Sequence, residues 1–294
     1  LDWQVHNMGS KDVQIRAVRS DGQVFEYHGE DWGIISIEGL DSPDIEIFRS
    51  NRGYGNGSII TGKRKKERPI DIVAREENKL HNDVDRARAI GFHNSNYTFD
   101  LYCTYMGVTR IAKDCQLESM KLPNDNVWKR LKLSVSYLHP ESDLLGEESE
   151  STTFTDVDPM WHVTRAYVPG RGKLYFGVIN HSSSKVVNYL GSEDTYIKIT
   201  LEATGLVEGI NIGVGDIEVH INVSLSSGDI LEVDSETKTV KKNGADVAPG
   251  LYTGENLPKL ILEYGDNVVK VSADDPGNTA YNADVSYVGR YGGL

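Results

Sequence analysis

The feature that most restricts this chain is a series of short alternating runs between residues 215 and 273. Ile217-Glu218-Val219-His220-Ile221-Asn222-Val223 places apolar side chains on one face of an extended strand and polar ones on the other. Ser227-Gly228 turns the chain into the run 229–234, and residues 237–241 follow. Asn243-Gly244 then closes a hairpin, because a type I′ turn needs positive φ at both central residues. Leu260 to Tyr264, the turn Gly265-Asp266-Asn267 and the strand 268–271 complete the stretch. Half-buried strands joined by tight turns need a second sheet to cover their apolar face, so this part of the chain reads as a β-sandwich.

At 294 residues there is room for two domains. Twenty-nine glycines, fifteen tyrosines and few long helical patterns favour a β-rich chain. The net charge of −13 is unevenly placed. Residues 1–138 carry 20 Lys+Arg and 20 Asp+Glu, residues 139–158 carry 0 and 7, and residues 159–294 carry 11 and 17. That balance argues against a nucleic-acid binder. No run of 18 apolar residues is present, and residues 1–10 show neither basic nor apolar signal-peptide regions, so no membrane partner is expected. Cys103 and Cys115 admit a disulfide or two free thiols, and free thiols of a reducing compartment are the preferred reading.

Before residue 138 the chain again alternates. Strands are expected at 13–18, 24–27, 34–37, 45–48, 70–73, 97–105, 108–112, 115–122 and 131–137. Residues 83–90 are the one good helix, with Val84, Ala87 and Ile90, and Ala89 beside them, as its apolar stripe. Residues 49–62 hold Gly53, Gly55, Gly57 and Gly62 and read as a mobile loop; the Gly-x-x-Gly ending, helix and distant acid of a phosphate cradle are missing. His139-Pro140 ends the last strand, and the acidic, Ser/Thr-rich segment 139–158 reads as a connector. The expected domains are therefore 1–138 and 159–294, with new strands at 161–168, 173–179, 195–203 and 283–291.

The order of these pieces resembles the distal tail protein family of long-tailed phages. In the first half the resemblance rests on Gly39 to Pro43, on Arg68 to Val73, on the helix 83–90, on the hairpin Gly107 to Arg110, and on the strand 131–137 ending at Pro140. In the second half it rests on "GDILEVDSETKTVKKNG" followed by "NLPKLILEYGDNVVKVS". The aromatic usual just after the proline is replaced by Glu141-Ser142-Asp143. The resemblance implies a mainly β fold: a ring-forming, β-barrel-like N-terminal domain with one short helix, then a galectin-like sandwich. It implies a structural virion protein with no catalytic activity and no cofactor. Six copies would form a ring joining the tail tube protein to the tail-associated hub or lysin protein. The outer domains would hold receptor-binding or baseplate proteins, and the assembly would form in the host cytoplasm.

The residues singled out for function are cationic. Arg49, Arg52, Lys63, Arg64, Lys65, Lys66 and Arg68 flank or follow the glycine-rich stretch. They read either as a solvated loop or as an arm touching a neighbouring subunit, the tube, or DNA. Enzymatic alternatives find little support. The histidines at 6, 28, 81, 93, 139, 162, 181 and 220 show no metal-ligand spacing. Glu38, Asp41, Asp44 and Glu46 lie close enough to be weighed as a glycosidase pair, but read as a solvated face. No Gly-x-Ser-x-Gly elbow occurs. The rival from another class is a carbohydrate-binding module or glycan hydrolase of the bacterial surface. Its sugar platform, or a weak glycan contact, would draw on Trp161, Tyr167, Tyr175, Tyr189, Tyr252, Tyr264, Tyr287 and Tyr291.

Overall fold

The computed structural model describes residues 13–29, 31–77, 82–123, 130–159, 177–181, 183–275 and 279–294. The chain divides into two compact units, Leu1–Glu147 with Arg290–Leu294, and Glu148–Gly289. Both are mainly β, with a single α-helix among the described residues. This division differs from the expected boundaries at two places. Leu144–Thr153, inside the acidic stretch, is a strand. Residues 290–294 return to the first unit. Serine, threonine and glutamate mark a solvated face, and a strand with exposed side chains has one as readily as a linker does.

Unit 1 contains β1 (Val13–Arg19), β2 (Val24–Glu26), β3 (Trp32–Glu38), β4 (Ile45–Asn51), β5 (Ser58–Lys65) and β6 (Arg68–Glu76). Helix α1 (Asn82–Phe92) follows, then β7 (Thr98–Tyr105), β8 (Val108–Lys121), β9 (Lys132–His139) and the start of β10 (Leu144–Thr153). The main sheet is antiparallel, with neighbours in the order β2-β1-β7-β8-β9-β6-β3. Expected as two strands, β8 is one continuous strand of 14 residues. Its first part pairs with β7 and its last part with β9, with register shifts in both ladders. A bulged strand of that length lets one ladder bend into the next around a single core. In β6 the alternation is complete: Arg68, Ile70, Ile72, Ala74 and Glu76 point inward. Pro69 stands before the segment that pairs with β3, so its missing N–H interrupts no ladder on that side.

Helix α1 is present but turned away from expectation. Its buried positions are Asp85, Ala89 and Phe92, whereas Val84 is 65% and Ile90 49% exposed. The expected stripe therefore faces outward, apart from Ala89. Packing sets this rotation: Phe92 meets Phe25 and Phe99 at ring-centroid distances of 5.2 and 5.6 Å. Burying one large aromatic outweighs exposing smaller apolar groups. His93, just past the helix, joins a buried polar chain. Its Nδ1–H donates to Ala89 O at 2.7 Å, so its Nε2 accepts from Tyr27 Oη at 2.6 Å. Tyr27 Oη in turn accepts from Tyr137 Oη at 2.7 Å. Burial holds the His93 pKa down at about 4, so the ring is neutral at physiological pH.

Unit 2 holds the end of β10, then β11 (Thr155–Pro159), β12 (Gly177–His181), β13 (Ser184–Tyr189), β14 (Thr195–Ala203), β15 (Val207–Val214) and β16 (Ile217–Leu225). It continues with β17 (Ile230–Asp234), β18 (Thr239–Lys242), β19 (Ala245–Asp246), β20 (Ile261–Leu262), β21 (Gly265–Ala273) and β22 (Tyr281–Tyr291). One sheet runs β19-β18-β17-β14-β22 and the other β13-β21-β15-β16. Ile197, Ile199 and Leu201 from the first and Ile210, Ile212 and Val271 from the second bury into one shared core. That is the two-layer sandwich the alternation demands, each such side chain contributing about 1.5–3 kcal/mol. Asn243 (φ 52°) and Gly244 (φ 80°) make the expected I′ turn between β18 and β19. Only residues 261–262 of the expected strand 260–264 are extended. The strand expected at 161–168 lies outside the described residues, as does the first part of that expected at 173–179.

Candidate interaction surface

The seven cations do not form one group. Arg68 opens β6 and is 2% exposed. Its guanidinium donates to four backbone carbonyls: Gly39 O at 3.0 Å, Asp41 O at 2.5 Å, Ser142 O at 2.6 Å and Gly292 O at 2.6 Å. It is a clamp that ties two loops and the C-terminal segment to the sheet, not part of an exposed arm. Five N–H donors in a rigid fork suit a cage of carbonyls, a task lysine could not perform. Gly39 belongs to the same cage. It has φ +90°, and a Cβ there would stand 1.9 Å from Pro69 O. The Gly39 to Pro43 turn and the Arg68 strand, two of the motifs that carried the family resemblance, thus meet in one structural joint.

The residues before Arg68 are also ordered. The glycine-rich stretch expected as a mobile loop is the middle of a hairpin. β4 pairs with β5 from Ile45↔Lys65 to Asn51↔Ser58, with a register shift after Phe48, and only residues 52–57 form the tip. Among the described residues these strands form a separate two-stranded sheet, pairing only with each other. Ile45, Ile47, Phe48, Ile59 and Ile60 are each 44–68% exposed, and Tyr54 at the tip is fully exposed. Arg64 is tied within the hairpin, to Glu46 at 2.8 Å and over the Phe48 ring at 5.8 Å. Lys65 reaches Asp143 at 2.7 Å. Arg49, Arg52, Lys63 and Lys66 stand exposed. A two-stranded ribbon is marginal in water by itself, and contiguous exposed apolar side chains mark contact surfaces. Sequence reading found the cations of this element and missed its apolar residues. The signal was Ile45-x-Ile47-Phe48 on one side of a glycine-rich stretch and Ile59-Ile60 on the other.

The other residues weighed for chemistry do not converge. Glu38, Asp41 and Asp44 are exposed, and Glu46 is engaged by Arg64. Among the described residues no three His, Cys, Asp or Glu side chains group as metal ligands. Cys103 and Cys115 are both free and buried, and burial pushes the Cys103 thiol up to about 12. Of the proposed sugar platform, Tyr189 and Tyr287 are buried and pack edge to face at 5.7 Å. Tyr252 leans on the core, Tyr264 is exposed, and Tyr291 lies in unit 1 beneath Arg110 at 3.4 Å. Trp161, Tyr167 and Tyr175 lie outside the described residues.

Residues 190–291 match the family model of the siphovirus-type tail component, C-terminal domain. No curated protein matches the chain. Among solved structures, the chain is similar to the Dit protein (gp 19.1) of phage SPP1, described as a paradigm of the hub adsorption apparatus in phages infecting Gram-positive bacteria. Identity is 12%, 94% of this chain and 98% of that one are covered, and the TM-score is 0.66. A chain of the phage P2 baseplate, in its activated conformation with Ca, gives 9% identity, 94% and 97% coverage, and a TM-score of 0.46. The family match over the sandwich, with the SPP1 Dit fold over nearly the whole chain, bears out the resemblance to the distal tail proteins of long-tailed phages.

Proposed function

We propose that this chain is a structural component of the virion tail tip. Unit 1 closes a ring of six copies that joins the tail tube to the hub or lysin protein, and the ring is assembled in the host cytoplasm. Unit 2 is a galectin-like sandwich that offers a mount for receptor-binding or baseplate proteins. The reading has no catalytic step. The observation that carries it is the tail-component match over residues 190–291, on a chain whose fold is similar to that of SPP1 Dit over 94% of its length.

The β4–β5 hairpin is the element of unit 1 best suited to reach a neighbouring copy. Its exposed isoleucines supply burial, and Arg49, Arg52 and Lys63 supply charge. Exposed ion pairs contribute about 0.2–1 kcal/mol each and are screened by salt, whereas apolar burial is not. Salt should therefore weaken the ring without dissolving it. Mass photometry of the full chain is expected to show a six-copy species. Ile47→Ser with Ile60→Ser should dissociate it more than the triple Ser replacement of Arg49, Arg52 and Lys63. A chain that stays monomeric at high concentration, and forms no ring with tube protein, overturns the proposal. Saturable binding on a glycan array would favour the carbohydrate-binding alternative.

A further inference from the structure

Unit 1 is interrupted in sequence: residues 148–289 intervene before residues 290–294 complete it. Every residue of that returning segment is engaged within unit 1. Arg290 is buried and pairs with Glu141 at 3.3 Å, and the Tyr291 ring lies beneath Arg110 at 3.4 Å. Gly292 O accepts from Arg68 at 2.6 Å. Gly293 lies so close that a Cβ on it would stand 3.2 Å from Leu40 O and from the Asp41 carbonyl carbon. Leu294 N–H donates to Leu40 O at 2.9 Å, and the Leu294 side chain packs against the core of unit 1. Without this segment the buried Arg68 guanidinium loses one of its four carbonyls, and the turn at residues 39–41 loses its cover.

Within unit 2 the entering and leaving stretches of chain run side by side. β10 and β22 are neighbours in the sheet. Tyr287 Oη donates to Glu150 Oε2 at 2.7 Å, and Phe154 N–H donates to Ala283 O at 2.8 Å. Folded, unit 2 therefore holds its own two ends together. Unfolded, residues 148–289 would be a flexible tether, and the chance that the ends of such a tether meet falls roughly as the −3/2 power of its length. We propose that unit 2 is the closing element of unit 1: folding of the sandwich brings residues 290–294 to the Arg68 cage, so that unit 1 is completed only after unit 2 has folded. The dependence runs one way. The core of unit 2 and the pairing of β14 with β22 from Ile197↔Tyr287 to Ala203↔Tyr281 draw on no residue of unit 1. A chain with an unfolded sandwich would then be kept out of the ring; that consequence rests on the ring reading above, whereas the coupling does not.

The experiment uses the full chain. Pulse-labelled hydrogen exchange during refolding from urea is expected to protect β14 and β15 before β6 and β9. At equilibrium, Val271→Asp sets a carboxylate in the core of unit 2 and should unfold that unit. Protection of β6 and β9 should fall with it by about tenfold or more, although no residue of unit 1 is changed. Gly293→Val, which obstructs the seating of the segment, should lower the same protection and leave β14 and β15 as in the parent. In the double variant the two losses should not add, because a segment already unseated has nothing further to lose. Full protection of β6 and β9 ahead of β14, unit 1 unchanged in either single variant, or losses that add would each overturn the proposal. A chain that forms no ring can still pass these tests, and a ring-forming chain can fail them, so the coupling and the ring stand or fall separately.

Discussion

The two units bury different things. Unit 2 closes over aliphatic and aromatic side chains, and among its described residues the only buried polar ones are Thr195 and Ser235. Unit 1 buries Arg19, Arg68, Glu76, Asp85, His93, His139 and Arg290. Ser235 serves strand geometry: it accepts from Ile197 N–H at 2.9 Å and donates to Ile197 O at 3.0 Å. Arg68 holds together segments far apart in the chain, from residue 39 to residue 292. A core held by alternation tolerates exchanges of similar volume, whereas a core held by polar clamps fails when a single partner is removed. Unit 1 should therefore be the more brittle of the two, and each prediction below tests that contrast.

The largest effect is expected at the Arg68 joint. Gly39→Ala combines a positive φ with a Cβ placed 1.9 Å from a backbone carbonyl, so neither rotation nor a flexible neighbour relieves it. It should cost unit 1 about 3 kcal/mol or more. Arg68→Lys should follow closely, because an ammonium group cannot span four carbonyls and leaves buried acceptors unmet, at about 1–3 kcal/mol. Hydrogen exchange read peptide by peptide separates the units. Peptides of β6 and β9 should lose protection and those of β14 and β15 should keep theirs. Equal loss in both units would show that they unfold as one.

Acid should split the units in the same direction. The His93 pKa is lowered on folding, from an ordinary value of 6.5 to about 4, by burial above all. A group whose pKa is depressed contributes stability above its unfolded value and loses it as pH falls. The loss here begins near pH 6.5 and ends near pH 4, and amounts to about 3 kcal/mol. Glu76 acts in the opposite sense, losing its contribution as pH rises. Unit 1 should thus be most stable at mildly acidic to neutral pH, and unit 2 should change less over that window. A His93→Gln variant that keeps the acid sensitivity of the parent would remove His93 as its cause.

How much of this was legible beforehand follows the same contrast. The strands of unit 2 were readable because burial on one face of a sheet writes a period of two into the sequence, as in residues 217–223. The strands of unit 1 were readable for the same reason, most fully in β6 and β9. Arg68 was not. A cation at the end of a basic run looks solvated, and only the fold shows that carbonyls from residues 39, 41, 142 and 292 meet there. The rotation of α1 escaped too: Val84, Ala87 and Ile90 are a fair stripe, but Phe92 beyond the expected end decided which face turned inward. The glycine-rich hairpin was read as loose because glycine lowers strand propensity. Pairing of the flanking segments, 45–51 with 58–65, is a long-range fact that local composition does not carry.

The smallest effect should come from unit 2, at the turn that was clearest in the sequence. Gly244 has φ +80°, so a β-branched side chain is strained there, but nothing lies within 4 Å of the position a Cβ would take. The penalty is conformational alone, at about 1 kcal/mol. The turn has other supports that Gly244→Val leaves intact. Asn243 Oδ1 accepts the Ile230 N–H at 2.8 Å, Asn243 Nδ2 donates to Asp229 Oδ1 at 2.8 Å, and Lys242 Nζ reaches Asp229 Oδ2 at 2.9 Å. Gly244→Val should therefore loosen β18 and β19 locally and leave β14 and β15 protected, with unit 1 untouched. Gly39→Ala and Gly244→Val both place a side chain on a backbone with positive φ, and differ in what surrounds it. If the two cost the same, brittleness lies in the backbone conformation rather than in the clamp around it, and the contrast between the units fails.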